Sequence, residues 1–148
     1  MEVKGDHQFK APRAVVWECM LDPKALQASM PGCEVFKEVA PESYDLTIKV
    51  GVGAIKGTYS GNVKVTDRNP QDSYRLIVTG KGAPGSVQGD AVMTLAENAA
   101  GTLVSYTGEV KAQGAIARLG SRLLAGTANL MIGQFMKGME KQVDNRTP

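Results

Sequence analysis

Between Tyr44 and Thr66 hydrophobic and polar residues take turns. Tyr44, Leu46, Ile48, Val50 and Val52 are interleaved with Asp45, Thr47, Lys49 and Gly51, and Ile55, Gly57, Tyr59, Gly61, Val63 and Val65 with Lys56, Thr58, Ser60, Asn62, Lys64 and Thr66. A period of two marks strands with one buried face. The same pattern sets Met1, Val3, Gly5, His7 and Phe9 against Glu2, Lys4, Asp6, Gln8 and Lys10 and predicts an opening strand. Six further strands are expected over 34–39, 44–52, 55–66, 73–79, 87–96 and 102–112. Pro12 suits the first turn of a helix through Val15, Val16, Trp17 and Met20. Asp22-Pro23 ends it and starts a second short helix through Leu26, which MPGC at 30–33 breaks. The segment 114–143 predicts one long helix. At 100° per residue Ile116, Leu119, Gly120, Leu123, Leu124, Thr127, Leu130, Met131, Phe135 and Gly138 share an arc, and Arg118, Arg122, Asn129 and Glu140 lie opposite.

In an antiparallel meander the connections alternate between the two ends of the sheet. One end receives the polar turns at 40–43, 67–72 and 97–101. The other receives GVGA at 51–54, GKGAPGS at 80–86, Gln113-Gly114 and MPGC. Glycine permits close approach to a ligand, so this rim is a candidate mouth, with Met30, Pro31, Gly53, Gly82, Gly85 and Gly114 around it; strand bending by bulges is the alternative. VGVGAIKG at 50–57 also raises the question of a phosphate-binding loop. Such a loop runs into a helix N-terminus, whereas this one joins two strands, and its spacing fits neither the dinucleotide fingerprint nor the P-loop. Its glycines are expected to serve uptake and release, with Lys56 facing solvent. Gly120, Gly126, Gly133 and Gly138 each disfavour the long helix by about 0.8 to 1 kcal/mol relative to Ala. They serve either an internal space or close packing of helix on sheet.

Composition adds mostly exclusions. With 148 residues the chain is expected to form one domain over 1–148. A net charge of +2 without a basic cluster gives no pull toward nucleic acid. Cys19 and Cys33 lack metal-site spacing and read as reduced thiols of a cytoplasmic protein, a disulfide being possible but unneeded. The charged start argues against a signal peptide, and no apolar run is long enough to span a bilayer. Catalysis finds little to work with: one histidine, His7, on an inward face where core packing competes with a ligand role, and no inward pair of carboxylates. Cys33 lacks an activating neighbour, and Tyr59 and Tyr106 are the hydroxyls best placed to meet a carbonyl. No catalytic residue, metal ligand or tightly bound cofactor is assigned.

The order of strand, two short helices, six strands and long helix resembles the helix-grip fold of the START-like, polyketide-cyclase-like superfamily. Within it the chain is similar to the CoxG family of carbon monoxide dehydrogenase subunits. The residues that carry the likeness are the strand from Gly5 to Phe9, APRAVVWECMLDP at 11–23, MPGC, GTYSGNVKV at 57–65, the loop Gly80-Lys81-Gly82, and GAIARLGSRLL at 114–124. The resemblance implies an α+β fold in which a curved seven-stranded antiparallel sheet wraps the C-terminal helix around an apolar cavity. It also implies service to a molybdenum-containing dehydrogenase such as carbon monoxide dehydrogenase, handling of quinones, and recruitment to membranes. Many members carry a hydrophobic C-terminal anchor, whereas this sequence ends at Pro148, leaving peripheral contact with the inner face of the cell membrane as the open route.

The favoured reading is a non-catalytic carrier for a quinone or lipid-like molecule; a cyclase- or hydrolase-type enzyme and a purely scaffolding subunit are the alternatives. By alternation the ligand is expected against Val50, Val52, Tyr59, Val78, Met93 and Tyr106 of the sheet and Leu119, Leu123, Thr127 and Met131 of the helix. On that basis Leu123→Glu should abolish uptake.

Overall fold

The computed structural model describes residues 1–51 and 55–146. In chain order they form β1 (Glu2–Phe9), α1 (Arg13–Met20), α2 (Pro23–Ser29), β2 (Cys33–Ala40), β3 (Ser43–Val50), β4 (Gly57–Asn69), β5 (Ser73–Gly82), β6 (Gly85–Asn98), β7 (Gly101–Gln113), a short 3₁₀ turn (Ala115–Leu119) and α3 (Ser121–Arg146). The seven strands make one antiparallel sheet in the order β1-β7-β6-β5-β4-β3-β2. Neighbours in sequence are neighbours in space from β2 to β7, and the chain's first strand closes the far edge beside β7. The expected α+β helix-grip architecture is therefore present.

Several strands run longer than their alternation predicts, β4 to Asn69 and the β5–β6 pair to its turn. The β5–β6 ladder continues through Gly80↔Val87, Lys81↔Ser86 and Gly82↔Gly85, because backbone pairing needs no apolar side chain to carry it to the turn. β3 ends at Val50, and Val52 and Gly53 of the glycine-rich hairpin lie outside the described residues.

The long C-terminal helix begins later than expected. Residues 115–119 form a 3₁₀ turn, and Gly120 follows at φ 85° and ψ 152°, a conformation open essentially to glycine alone. The α-helix starts afresh at Ser121. Its angular phase is therefore independent of Ile116 and Leu119, which corrects the single arc drawn from 116 to 138.

The main core lies under the C-terminal half of α3. Met136, Met139 and Val143 are buried against Val16, Trp17 and Met20 of α1, Leu26 of α2, and Phe9, Val65, Tyr74, Met93, Leu95 and Val104 of the sheet. The Trp17 and Tyr74 rings meet edge to face, 5.5 Å between centroids, a favoured aromatic geometry. Gly138 lets α3 close on α2: a Cβ there would lie 3.0 Å from Ser29 Cα. His7 is half-buried, and its Nε2 lies 2.8 Å from Glu140 Oε1, tying β1 to α3. Among the described residues neither group has a further ion-pair partner, and the contact reads as structural.

Asp22 links the two ends of this arrangement. Its carboxylate caps α2 by accepting from the Lys24 N–H at 3.1 Å and pairs with Arg146 in the last turn of α3. Partial burial pushes its pKa up, but the Arg146 and Lys24 hydrogen bonds outweigh that and hold it below the usual value. Asp22→Asn keeps an oxygen for the cap and loses the ion pair, so it should lower stability near neutrality by no more than about 1 kcal/mol. Asp22→Ala should cost about 1 kcal/mol more through the lost cap. Because the folded pKa is depressed, the ion pair's contribution is present above the unfolded pKa and lost as pH falls through the folded one. Thermal melts of wild type and Asp22→Asn should thus converge in acid; an equal gap at neutral and acid pH would refute the assignment.

Candidate ligand cavity

Toward its N-terminus α3 stops filling the sheet's concave face. Leu124, Thr127, Ala128, Met131, Ile132 and Phe135 turn inward with the i, i+3, i+4, i+7 spacing of one helix face, yet they are only half-buried. The sheet beneath them is cut from small residues. Register places Val63, Val78, Gly89 and Val110 in one row across β4 to β7, and Gly61, Gly80, Val87 and Ala112 in the next. Helix and sheet consequently stay apart and leave between them an open-sided cavity of about 480 Å³. Ile48 and Val50 of β3, Tyr59 of β4, Ile116 of the 3₁₀ turn, and Met30 and Pro31 after α2 complete its wall.

The wall is almost wholly apolar. Tyr59 is buried, and its hydroxyl donates to the Ile55 carbonyl at 2.7 Å; desolvation pushes its pKa up, so it stays a neutral phenol. Thr127 Oγ1 donates to the Leu123 carbonyl at 3.0 Å. Lys49, Thr79 and Gln134 also border the space, but these residues are exposed. Among the described residues no group of His, Cys, Asp or Glu is arranged to hold a metal ion. Nor does any helix there have the length and apolarity to cross a membrane. Such a site can bind by burial and shape and can fix a ligand's orientation through very few polar contacts.

The structure distributes the expected ligand residues unevenly. Val50, Tyr59, Val78, Thr127 and Met131 line the cavity, with Met30 and Pro31 on its border. Met93 and Tyr106 lie on the inward face but in another row. Register aligns Tyr74, Met93, Tyr106 and Gly5 across four strands, under the buried half of α3. Alternation assigns a face and not a position along the strand. Leu119 packs beside Ile116 from outside the wall, and Leu123 stands 52 % exposed on the outer side of α3, where Leu119, Arg122, Gly126, Thr127 and Leu130 form a shallow groove with it, so that Thr127 borders both the cavity and the groove. The reset at Gly120 explains that outward turn.

The rim glycines divide in the same way. Gly82, Gly85 and Gly114 do not border the cavity. Gly85, at φ +139°, sits against the Gln113 carbonyl and Ile116, with Gly114 directly over it, so this part of the rim is closed backbone to backbone. Gly126 and Gly133 have no atom within 4 Å of an added Cβ, so neither permits close packing. Only Gly138 does. Of the lining residues left out of the expected ligand set, Leu124 and Phe135 already lay on the apolar arc, and Ala128 and Ile132 are signalled by their spacing from them once the helix is started at Ser121 rather than at 114.

A profile of CoxG, the G subunit of carbon monoxide dehydrogenase, matches residues 5–144. The chain belongs to the CoxG family. A conserved protein of Geobacillus kaustophilus is 31 % identical, with 98 % of this chain and 96 % of that chain covered and a TM-score of 0.93. A START superfamily protein of Mycobacterium smegmatis shares the fold at 12 % identity, TM-score 0.79 and 99 % coverage of both chains. A protein of Thermus thermophilus does so at 16 % identity, TM-score 0.77 and full coverage of both. No curated protein is significantly similar. Membership of CoxG agrees with the strand–helix–helix–meander–helix order, and the START-like neighbours place the fold among those built around a sheet-and-helix grip.

Proposed function

We propose that this CoxG-family protein is a non-catalytic accessory carrier. It holds one neutral, lipid-like molecule, a quinone in the reading the family favours, and presents it to a molybdenum-containing dehydrogenase such as carbon monoxide dehydrogenase. The observation that carries the reading is the apolar cavity itself, about 480 Å³ kept open between α3 and rows of small sheet residues. Apolar burial contributes about 25 cal/mol per Å² before the costs of association, which suffices for a ligand with a hydrocarbon tail and few polar atoms. A scaffolding protein has no need of that space, and an enzyme would need convergent polar groups that the described lining lacks. The outer groove of α3, with Leu123 and Leu130 about half exposed beside Arg122, is the surface we assign to peripheral contact with a membrane, from which the ligand would be drawn.

The test is to purify the protein from a quinone-producing host and analyse what denaturation releases. A neutral lipid or quinone approaching one per chain is expected. Preparations that release none, and fail to take up diphenylhexatriene when it is added, would rule the carrier reading out.

A further inference from the structure

We infer that the cavity selects ligands whose head group donates a hydrogen bond, a phenol, hydroquinone or alcohol, over those that carry only a carbonyl or ether. The inference rests on the carrier reading and specifies its ligand. It follows from where two protons go. A carbonyl oxygen can only accept, so in the pairs Tyr59 Oη to Ile55 O at 2.7 Å and Thr127 Oγ1 to Leu123 O at 3.0 Å the hydroxyls must be the donors. Each hydroxyl oxygen keeps lone pairs and has no second proton to offer. Among the cavity-lining side chains, the hydroxyls of buried Tyr59 and of half-buried Thr127, at the edge shared with the outer groove, therefore present acceptors only. Lys49, Thr79 and Gln134 have protons to donate, but they are exposed and remain hydrated, and the terminal ammonium of Met1, which also borders the cavity, is engaged by the Val110 carbonyl at 2.8 Å and by Glu109.

A ligand carbonyl brought to either of these hydroxyls meets lone pairs with lone pairs and is left unsatisfied on desolvation, whereas a ligand hydroxyl meets a partner. The positions of the two acceptors also orient the molecule. Tyr59 belongs to the small cluster with Val50 and Ile116, which Leu124 and Met131 cover. Leu26, Phe36, Leu76 and Phe135, at the other end, belong to or pack against the main core and bring no polar atom. The head thus sits at the Tyr59 end and the hydrocarbon extends toward α2 and β2. If the physiological ligand is a quinone, the protein favours its reduced, dihydroxy form. A tenfold preference corresponds to a rise of about 30 mV in the midpoint potential of the bound two-electron couple.

The test uses a matched pair, para-nonylphenol and its methyl ether, competing with diphenylhexatriene for the wild-type protein. The phenol should displace the probe about tenfold more tightly, the worth of roughly one hydrogen bond. Tyr59→Phe, which keeps the ring, and Thr127→Val, which keeps the shape, should each shrink the ratio, chiefly by weakening the phenol; circular dichroism confirms that each is folded. Diphenylhexatriene binding with equal or tighter displacement by the ether overturns this inference and leaves the carrier reading standing. A ratio unchanged in both variants overturns it too. Failure of diphenylhexatriene to bind at all would instead remove the carrier reading beneath it.

Discussion

Met131→Glu is expected to weaken uptake of an apolar probe such as diphenylhexatriene by about 100-fold, while Leu123→Glu, on the same helix, leaves it unchanged. Met131 faces the cavity and Leu123 faces solvent. A carboxylate inside an apolar space must either keep water with it or lose its hydration. At roughly 3 kcal/mol either outcome accounts for the 100-fold loss. Both variants add a good helix former at a helical site, so neither should unfold the protein. Desolvation disfavours the charged form, so the new carboxyl's pKa is raised and part of the uptake should return as the solution is acidified. Fluorescence titrations across pH decide the matter. Equal losses in the two variants would mean that the helix is rotated from the orientation described, and a pH-independent loss in Met131→Glu would point to structural damage rather than buried charge.

Gly61→Ala should destabilise the fold by at least about 3 kcal/mol, lowering the melting temperature by roughly ten degrees. A Cβ at Gly61 would lie 1.8 Å from the Thr79 carbonyl oxygen and 2.9 Å from Gly80 Cα. Both belong to the backbone of β5, the central strand, paired with β4 at Gly61↔Gly80. No side chain can move aside, so relief requires breaking the ladder under the cavity. Gly126→Ala makes the opposite prediction. That Cβ meets nothing within 4 Å, and the helix should gain about 0.8 to 1 kcal/mol. Denaturant titration of both variants checks the contrast, and a native-like melting point for Gly61→Ala would refute the close approach.

Much of the sheet could be read from the chain because its signal is local. The alternation from Tyr44 to Val50 and from Gly57 to Thr66 places β3 and β4 without reference to any other element. Asp22-Pro23 and MPGC likewise mark the ends of α1 and α2 through the backbone chemistry of proline and glycine. The cavity was legible only in part. Val50, Tyr59 and Val78 followed from face alone, but Met93 and Tyr106 share that face and lie in the row beneath Met136 and Met139. Which row a side chain occupies depends on register between strands distant in sequence, and pattern within one strand does not carry it. The phase of α3 failed for a different reason. Gly120 looks like one more small residue on an apolar arc, and only its backbone dihedrals reveal that the arc stops there. Leu123 and Leu124 both lay on that arc, and only Leu124 lines the cavity.

The uneven burial of α3 separates two kinds of selective demand along a single element. Substitutions at Met136, Met139 or Val143 are felt by the folded state as a whole, since these side chains close the main core. Those at Leu124, Ala128 or Met131 change the shape offered to a guest and touch little that holds the domain together. A lineage, or a library, can therefore explore new cargo through the first half of the helix without approaching the stability threshold that the second half maintains.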